Sequence, residues 1–379
     1  MPFNYSFQTG IGFEPYLLKT IENVCGSGNS GILKVDNLGF LNLLQSQNKT
    51  LNILRSGGNG SIQYATVKFM QRFVENMVGT EDTCEPAYNN PWLEANVPLD
   101  IFTSLSVYIE DALMQEYTTD MNQVQSIGAP TQAMGQMVKL INSGCNALLE
   151  KLDTQLLNKL VFGVNNVTGS NATSTINFPL STTNNPLTEG LNEVFAQAQD
   201  NQFANGKLQI FGSGLFRNFM LNQPAKTFDQ SGLNTVIQAM GVDFFYDIKA
   251  QSILGANQFA VVSPDSIQLV EFPRYSGAYG GRKMTSDFGS FYLPMNVVDS
   301  YGQVTQKEVL FDFQLKYLDC PSAVAATNDY YGSPNSGYRG WQMIISKTCG
   351  LFQLPTNQYR ASDILDQTNG IIRFTATNV

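Results

Sequence analysis

The sequence predicts an α+β protein in which one long helix and a mixed sheet carry an insertion. Three observations lead there. Residues 130–162 keep a three-to-four spacing of apolar side chains over about thirty positions, the period of an amphipathic helix. The segments Ile101 to Ile109 and Val309 to Tyr317 alternate apolar and other residues in period two, as strands do. Shorter strand-like runs lie between them, and no repeat of fixed period is present.

Residues 1–60 are irregular, with glycines at Gly10, Gly12, Gly26, Gly28, Gly31, Gly57, Gly58 and Gly60 and apolar groups such as Phe40, Leu41, Leu43 and Leu44 in no sustained period. Such a segment reads as an arm that docks on another surface. From Ile62 the chain turns strand-like through Tyr64, Val67, Phe69 and Phe73. Ile101, Thr103, Leu105, Val107 and Ile109 form the second run, and an acidic, proline-containing connector spans Gly79 to Asn96. These features predict a long two-stranded hairpin with a broad tip. An isolated hairpin is marginal in water, so this one should lie against its own chain or a neighbour.

Pro130 opens the long helix, and Gly163 supplies its stop. Met137, Val138, Ile141, Cys145, Leu148, Leu149, Leu152, Leu156 and Leu160 mark its apolar face, with Lys139, Asn142, Glu150, Lys151 and Asp153 assigned to the others. At about 1.5 Å per residue it spans on the order of 45 Å and can serve as a spine. Gly135 and Gly144 mark a bend or a close backbone contact. Val164 to Asn185, rich in Asn, Thr and Ser, reads as a surface loop, and Thr188 to Gln202 as a helix. The strand Lys207 to Phe211, the turn Gly212-Ser213-Gly214 and a short helix with Leu215, Phe216, Phe219 and Met220 come next. Strands at Val242 to Lys249, Gln258 to Val262 and Ile267 to Phe272 precede the stronger ones at Val309 to Tyr317, Trp341 to Ser346 and Ile371 to Ala376.

Composition narrows the function classes. Hydrophobic residues make up 43%, enough for sizeable cores, but only 14% are charged, and Asn and Gln fill roughly one position in six. Neutral amides wet a surface yet are cheaper to desolvate than charges, which suits surface buried against copies of the same chain. A compositional habit of the source genome is the alternative reading. The net charge of −9 argues against neutralising many phosphates, so specific nucleic-acid binding is not expected. Histidine is absent, which removes the commonest proton-transfer and metal-ligating side chain. Cys25, Cys84, Cys145, Cys320 and Cys349 contain no C-x-x-C pair, so neither a zinc site nor a disulfide framework is indicated. No basic segment followed by an apolar core opens the chain, and no apolar run reaches bilayer length, so a soluble protein made in a cytoplasm is expected.

Chemical motifs are weak. Gly212-Ser213-Gly214 between a strand and a helix lacks the Lys-Ser/Thr of a P-loop and the third glycine of a dinucleotide site; a tight turn with Ser213 as N-cap explains it better. Glu81, Asp82 and Glu85, and Glu110, Asp111 and Glu116, match no calcium loop and read as solvated hairpin ends. A hydrolase using these carboxylates without histidine remains the enzymatic alternative, and it requires a deep acidic pocket. No catalytic, metal or cofactor site is expected.

Taken in order, an arm, a long hairpin, a spine helix, a strand-turn-helix unit, an inserted sheet and returning strands resemble the major capsid proteins of tailed double-stranded DNA bacteriophages, whose fold is shared with encapsulin compartments. In that resemblance residues 1–60 correspond to the N-terminal arm, 61–110 to the extended loop, 111–223 to the peripheral domain with spine helix 130–162, 224–305 to the axial domain, and 306–379 to returning strands. Leu310-Phe311-Asp312-Phe313-Gln314-Leu315 is similar to the strand by which such proteins leave the axial region. The resemblance implies a non-enzymatic wall subunit, forming pentamers and hexamers in an icosahedral virion capsid assembled in the host bacterial cytoplasm. It implies separate scaffolding and portal proteins, and packaged DNA enclosed without sequence-specific binding. An encapsulin-like compartment is the alternative within the fold. Phe69, Phe73, Trp92, Ile101, Leu105 and Tyr108 are expected to anchor neighbouring subunits, unless they pack on the chain's own sheet.

Overall fold

A computed structural model describes residues 33, 38–47, 52–57, 64–70, 92–109, 113, 116, 132–160, 173–177, 192–198, 208–213, 241–255, 257–264, 266–271, 288–298, 304–320, 338–354 and 370–377. The protein is α+β, with three sheets and one dominant helix among these residues.

The first five-stranded sheet is antiparallel. Strand β4 (Ile101–Ile109), β10 (Phe288–Val298), β11 (Val304–Cys320) and β12 (Tyr338–Gln353) stand in the order β10-β11-β12-β4, and β9 (Ile267–Glu271) pairs with the far end of β12. Strict alternation in β11 turns Val309, Phe311 and Phe313 into one core. Gly350 lets β12 pass under the chain ahead of β4, since a Cβ there would stand 2.5 Å from the Pro98 carbonyl oxygen.

Helix α2 (Gln132–Lys159) lies against this sheet. Its stripe of Met137, Val138, Ile141, Cys145, Leu148, Leu149, Leu152 and Leu156 is buried, as the period required. Asp153, assigned by sequence to an outer face, is fully buried. It follows Leu149 by four residues and precedes Leu156 by three, which places it on the apolar face.

The second five-stranded sheet is mixed, in the order β5-β13-β8-β6-β7, with β5 (Thr173–Asn177), β6 (Leu208–Gly212), β7 (Val242–Tyr246), β8 (Gln258–Val262) and β13 (Ile371–Thr377). Phe211, Phe245, Ala260, Val262 and Ile371 face the core shared with α2, while Ile210, Phe244, Phe259, Val261 and Phe374 face the other way, under Val194 and Ala198 of helical residues 192–198. Burial on both faces is why Phe259 to Val262 reads as a continuous apolar run. Strand β5 falls inside the stretch expected to be a surface loop. Its parallel pairing to β13, remote in sequence, supplies what Thr173 to Asn177 lack in apolar pattern.

Within the expected arm, residues 38–47 dock on the chain itself: α1 (Gly39–Ser46) is buried along Gly39 to Gln45 in the main core. The expected hairpin is corrected. Strand β2 (Tyr64–Met70) pairs with β1 (Asn52–Gly57) and with β3 (Trp92–Pro98), making a three-stranded antiparallel sheet, whereas β4 leaves it to pair with β12. The alternation of β4 records burial on the α2 core, not a hairpin partner. The expected borders at 223/224 and 305/306 each cut a paired sheet, because β6 pairs with β7 and β8, and β10 with β11.

Candidate functional site

The described residues hold no cluster of three or more metal-ligating side chains, and no helix among them is long and apolar enough to cross a membrane. Of the acidic groups weighed above, Glu116 is exposed, and Glu81, Asp82, Glu85, Glu110 and Asp111 lie outside the described residues. Ser213 is buried at the end of β6, and its hydroxyl meets no hydrogen-bond partner; the helix expected after it lies outside the described residues. Burial pushes the thiols of Cys145 and Cys349 up, Cys349 to about 12, against the opposing pull of Lys347. Both are inert structural thiols at neutral pH.

The surface candidates centre on the three-stranded sheet. Ala65, Val67 and Val97 are buried with Leu99 against Val270 of β9 and Phe352 of β12, so the end next to β4 is seated on the chain itself. At the opposite end the register sets Phe69 against Leu93 and Met70 against Trp92. Of the six expected anchors, Phe73 lies outside the described residues, and Phe69 and Trp92 are placed by backbone register. Ile101 is 2% exposed and opposite Cys349, inside the main core, which withdraws it from contact with a neighbour. Leu105 packs partly buried on that core, and Tyr108, opposite Gln342, is half-buried. The outward row of β4 instead exposes Phe102, and Tyr64 and Ile248 are the other large apolar groups exposed among the described residues. Phe102 was legible as the residue out of phase with Ile101 and Thr103.

Two buried electrostatic features escaped sequence reasoning. Lys347 on β12 is 1% exposed, ion-paired with Glu271 of β9, donating to the Leu310 carbonyl at 2.8 Å and lying 5.3 Å from the Phe311 ring centre. A lysine between Ser346 and Thr348 on a strand gives no sequence signal of burial. The second feature joins α1 to the spine. Asp247, after β7, accepts the Phe40 amide at 2.9 Å, and Asp153 accepts the Leu41 amide at 3.0 Å. Asp247 also accepts the Lys249 and Ala250 amides, opening α3 (Ala250–Leu254).

Together, a spine helix, two five-stranded sheets and a separate three-stranded sheet near the N-terminus define the architecture in which any surface function must operate. No family model matches the chain, and no curated protein does. Solved structures similar to it include the virus-like particle from Pyrococcus furiosus, at 10% identity and TM-score 0.38, covering 96% of this chain and 100% of that one. A Mycobacterium phage Bobi structure is similar at 11% identity and TM-score 0.37, over 98% and 96% of the two chains. The capsid of Myoviridae phage XM1 is similar at 9% identity and TM-score 0.34, over 98% and 94%. These are loose likenesses spread over nearly the whole chain.

Proposed function

We propose that this chain is the structural subunit of a closed shell of the tailed-phage capsid type, built from copies of itself around packaged double-stranded DNA. One observation carries the reading: the β1-β2-β3 sheet belongs to neither five-stranded sheet, is seated on Val270 and Phe352 at one end, and at the other has Phe69 in register with Leu93 and Met70 with Trp92. Aromatic and apolar residues at the end of a short sheet suit contact with an adjoining subunit. A wall needs many moderate contacts that close by symmetry, and a sparsely charged, amide-rich surface serves that purpose. Phe69, Phe73, Trp92 and Tyr108 are the anchors in this reading, with pentamers and hexamers as the units and scaffolding and portal functions on separate proteins. The chain itself performs no catalysis.

Light scattering after size exclusion, with electron microscopy of the same fractions, tests it. The full chain should elute as megadalton closed particles. Replacing residues 75–88 by a short Gly-Ser link should give small oligomers of unchanged helix content. A monomeric full chain, or normal particles from the shortened variant, would overturn the reading. Particles that enclose a protein cargo and no DNA would replace the virion by a storage compartment.

A further inference from the structure

We propose that Asp153 and Asp247 form a clasp that fastens α1 to the spine helix, closed by a proton held on Asp153, and that removing that proton loosens α1. Both side chains are buried, at 0% and 1% exposure, and they come from different elements, the spine helix and the β7–α3 connection. Each accepts one first-turn amide of α1, Phe40 by Asp247 and Leu41 by Asp153. Those amides have no partner within the helix, so the two carboxyl groups replace an N-cap that Leu38 cannot supply. Gly39 permits the fit, since a Cβ there would stand 2.5 Å from the backbone of Tyr246.

Two adjacent buried carboxyl groups cannot both ionise cheaply. The two carboxyl groups hold consecutive amides of one helical turn, and Asp153 Oδ2 meets no donor, so a proton on Asp153 directed at Asp247 satisfies the pair. Burial first, and then the charge of Asp247 and the hydrogen bond to it, hold Asp153 well above the usual carboxylate range. The Leu41 amide and the Lys249 ammonium pull the other way and do not prevail. Among the described residues, α1 (GFLNLLQS), α3 (AQSIL) and β6 (LQIFG) carry no ionisable side chain, while β7 carries Asp243 on the Phe245 face and Tyr246 on the opposite one. On α2 the neighbouring Glu150 and Lys151 point to solvent, and on β12 Lys347 is engaged by Glu271.

The sign follows from linkage. A carboxyl group whose pKa is raised in the docked state contributes its full stabilisation below the ordinary Asp range, and loses it as pH rises through the docked-state value. Docking of α1 should therefore weaken with rising pH, by up to about tenfold per pH unit above the ordinary Asp range. Because α1 leads into β1, the clasp would add to the seating of the three-stranded sheet on Val270 and Phe352, whether or not the chain builds a shell.

The test is amide hydrogen exchange on the full chain from pH 5 to 9, corrected for intrinsic exchange and read where exchange follows the opening equilibrium. Protection of the Phe40, Leu41 and Asn42 amides should fall relative to Ile141 and Leu149 as pH rises. Asp153→Asn keeps an oxygen for Leu41 and a permanent donor for Asp247, so it should retain protection and flatten the profile. Overturning results are an α1-to-α2 protection ratio constant with pH in the wild type, or a wild-type slope in D153N. If D153N does not fold, the wild-type ratio alone decides.

Discussion

Lys347 shows at the scale of one residue how burial changes what a charge is worth. The surface pair Lys159–Asp100 is over a third exposed on both sides and contributes little, because solvent screens it. Lys347 is enclosed with Glu271, the Leu310 carbonyl and the Phe311 ring, so its charge is satisfied at fixed positions. Glu271→Gln leaves an ammonium buried without its counter-charge and should cost about 3–5 kcal/mol in chemical unfolding. The double variant K347M/E271L should recover most of that loss, and an E271Q chain as stable as wild type would refute the account. Neither Lys347 nor Glu271 could be recognised from sequence, because a strand residue's environment is set by partners remote along the chain. Asp153 was assigned to an outer face, although its spacing from Leu149 and Leu156 puts a carboxyl on the apolar stripe, a conflict between chemistry and position that marks special sites.

At the scale of elements, the spine helix separates two glycines that the sequence treated alike. A Cβ on Gly144 would meet Leu105 at 3.0 Å and Ile345 at 3.2 Å, whereas one on Gly135 would meet nothing within 4 Å. Gly135→Ala should therefore stabilise the chain by about 0.5–1 kcal/mol through helix propensity alone. Gly144→Ala gains the same propensity but must displace side chains where β4 and β12 press on the helix, and should be neutral or destabilising. Thermal unfolding of the two variants under identical conditions checks this, and equal stabilisation by both would show that the contact at Gly144 is soft. The long helix, β8, β9 and the alternating strands were legible because their periods are local. The pairing of β4 was not: period two reports a buried face, not which strand lies alongside. Strand β5 had no signal, since its polar sequence becomes a strand only by pairing with β13.

For the whole molecule, long-range closure dominates. Strand β13 pairs with β5 and β8, so residues 371–377 complete a sheet begun some two hundred positions earlier. Phe374 stacks on Phe259 with ring centres 5.3 Å apart, and its burial is complete. Ending the chain after residue 369 should abolish cooperative unfolding, with the loss of near-ultraviolet dichroism and retention of much helix signal. A truncated chain that unfolds cooperatively with wild-type stability would contradict that view.

By itself the sequence determined the spine helix, the strands with a clear period, the absence of histidine chemistry and the α+β class, because periodicity and composition act over neighbouring residues. Only the tertiary structure decided that β4 joins β12, that residues 38–47 lie inside the core, and that Asp153 meets Asp247. Each of these depends on surfaces brought together from distant parts of the chain, where the energy of burial selects among pairings that local pattern leaves equal.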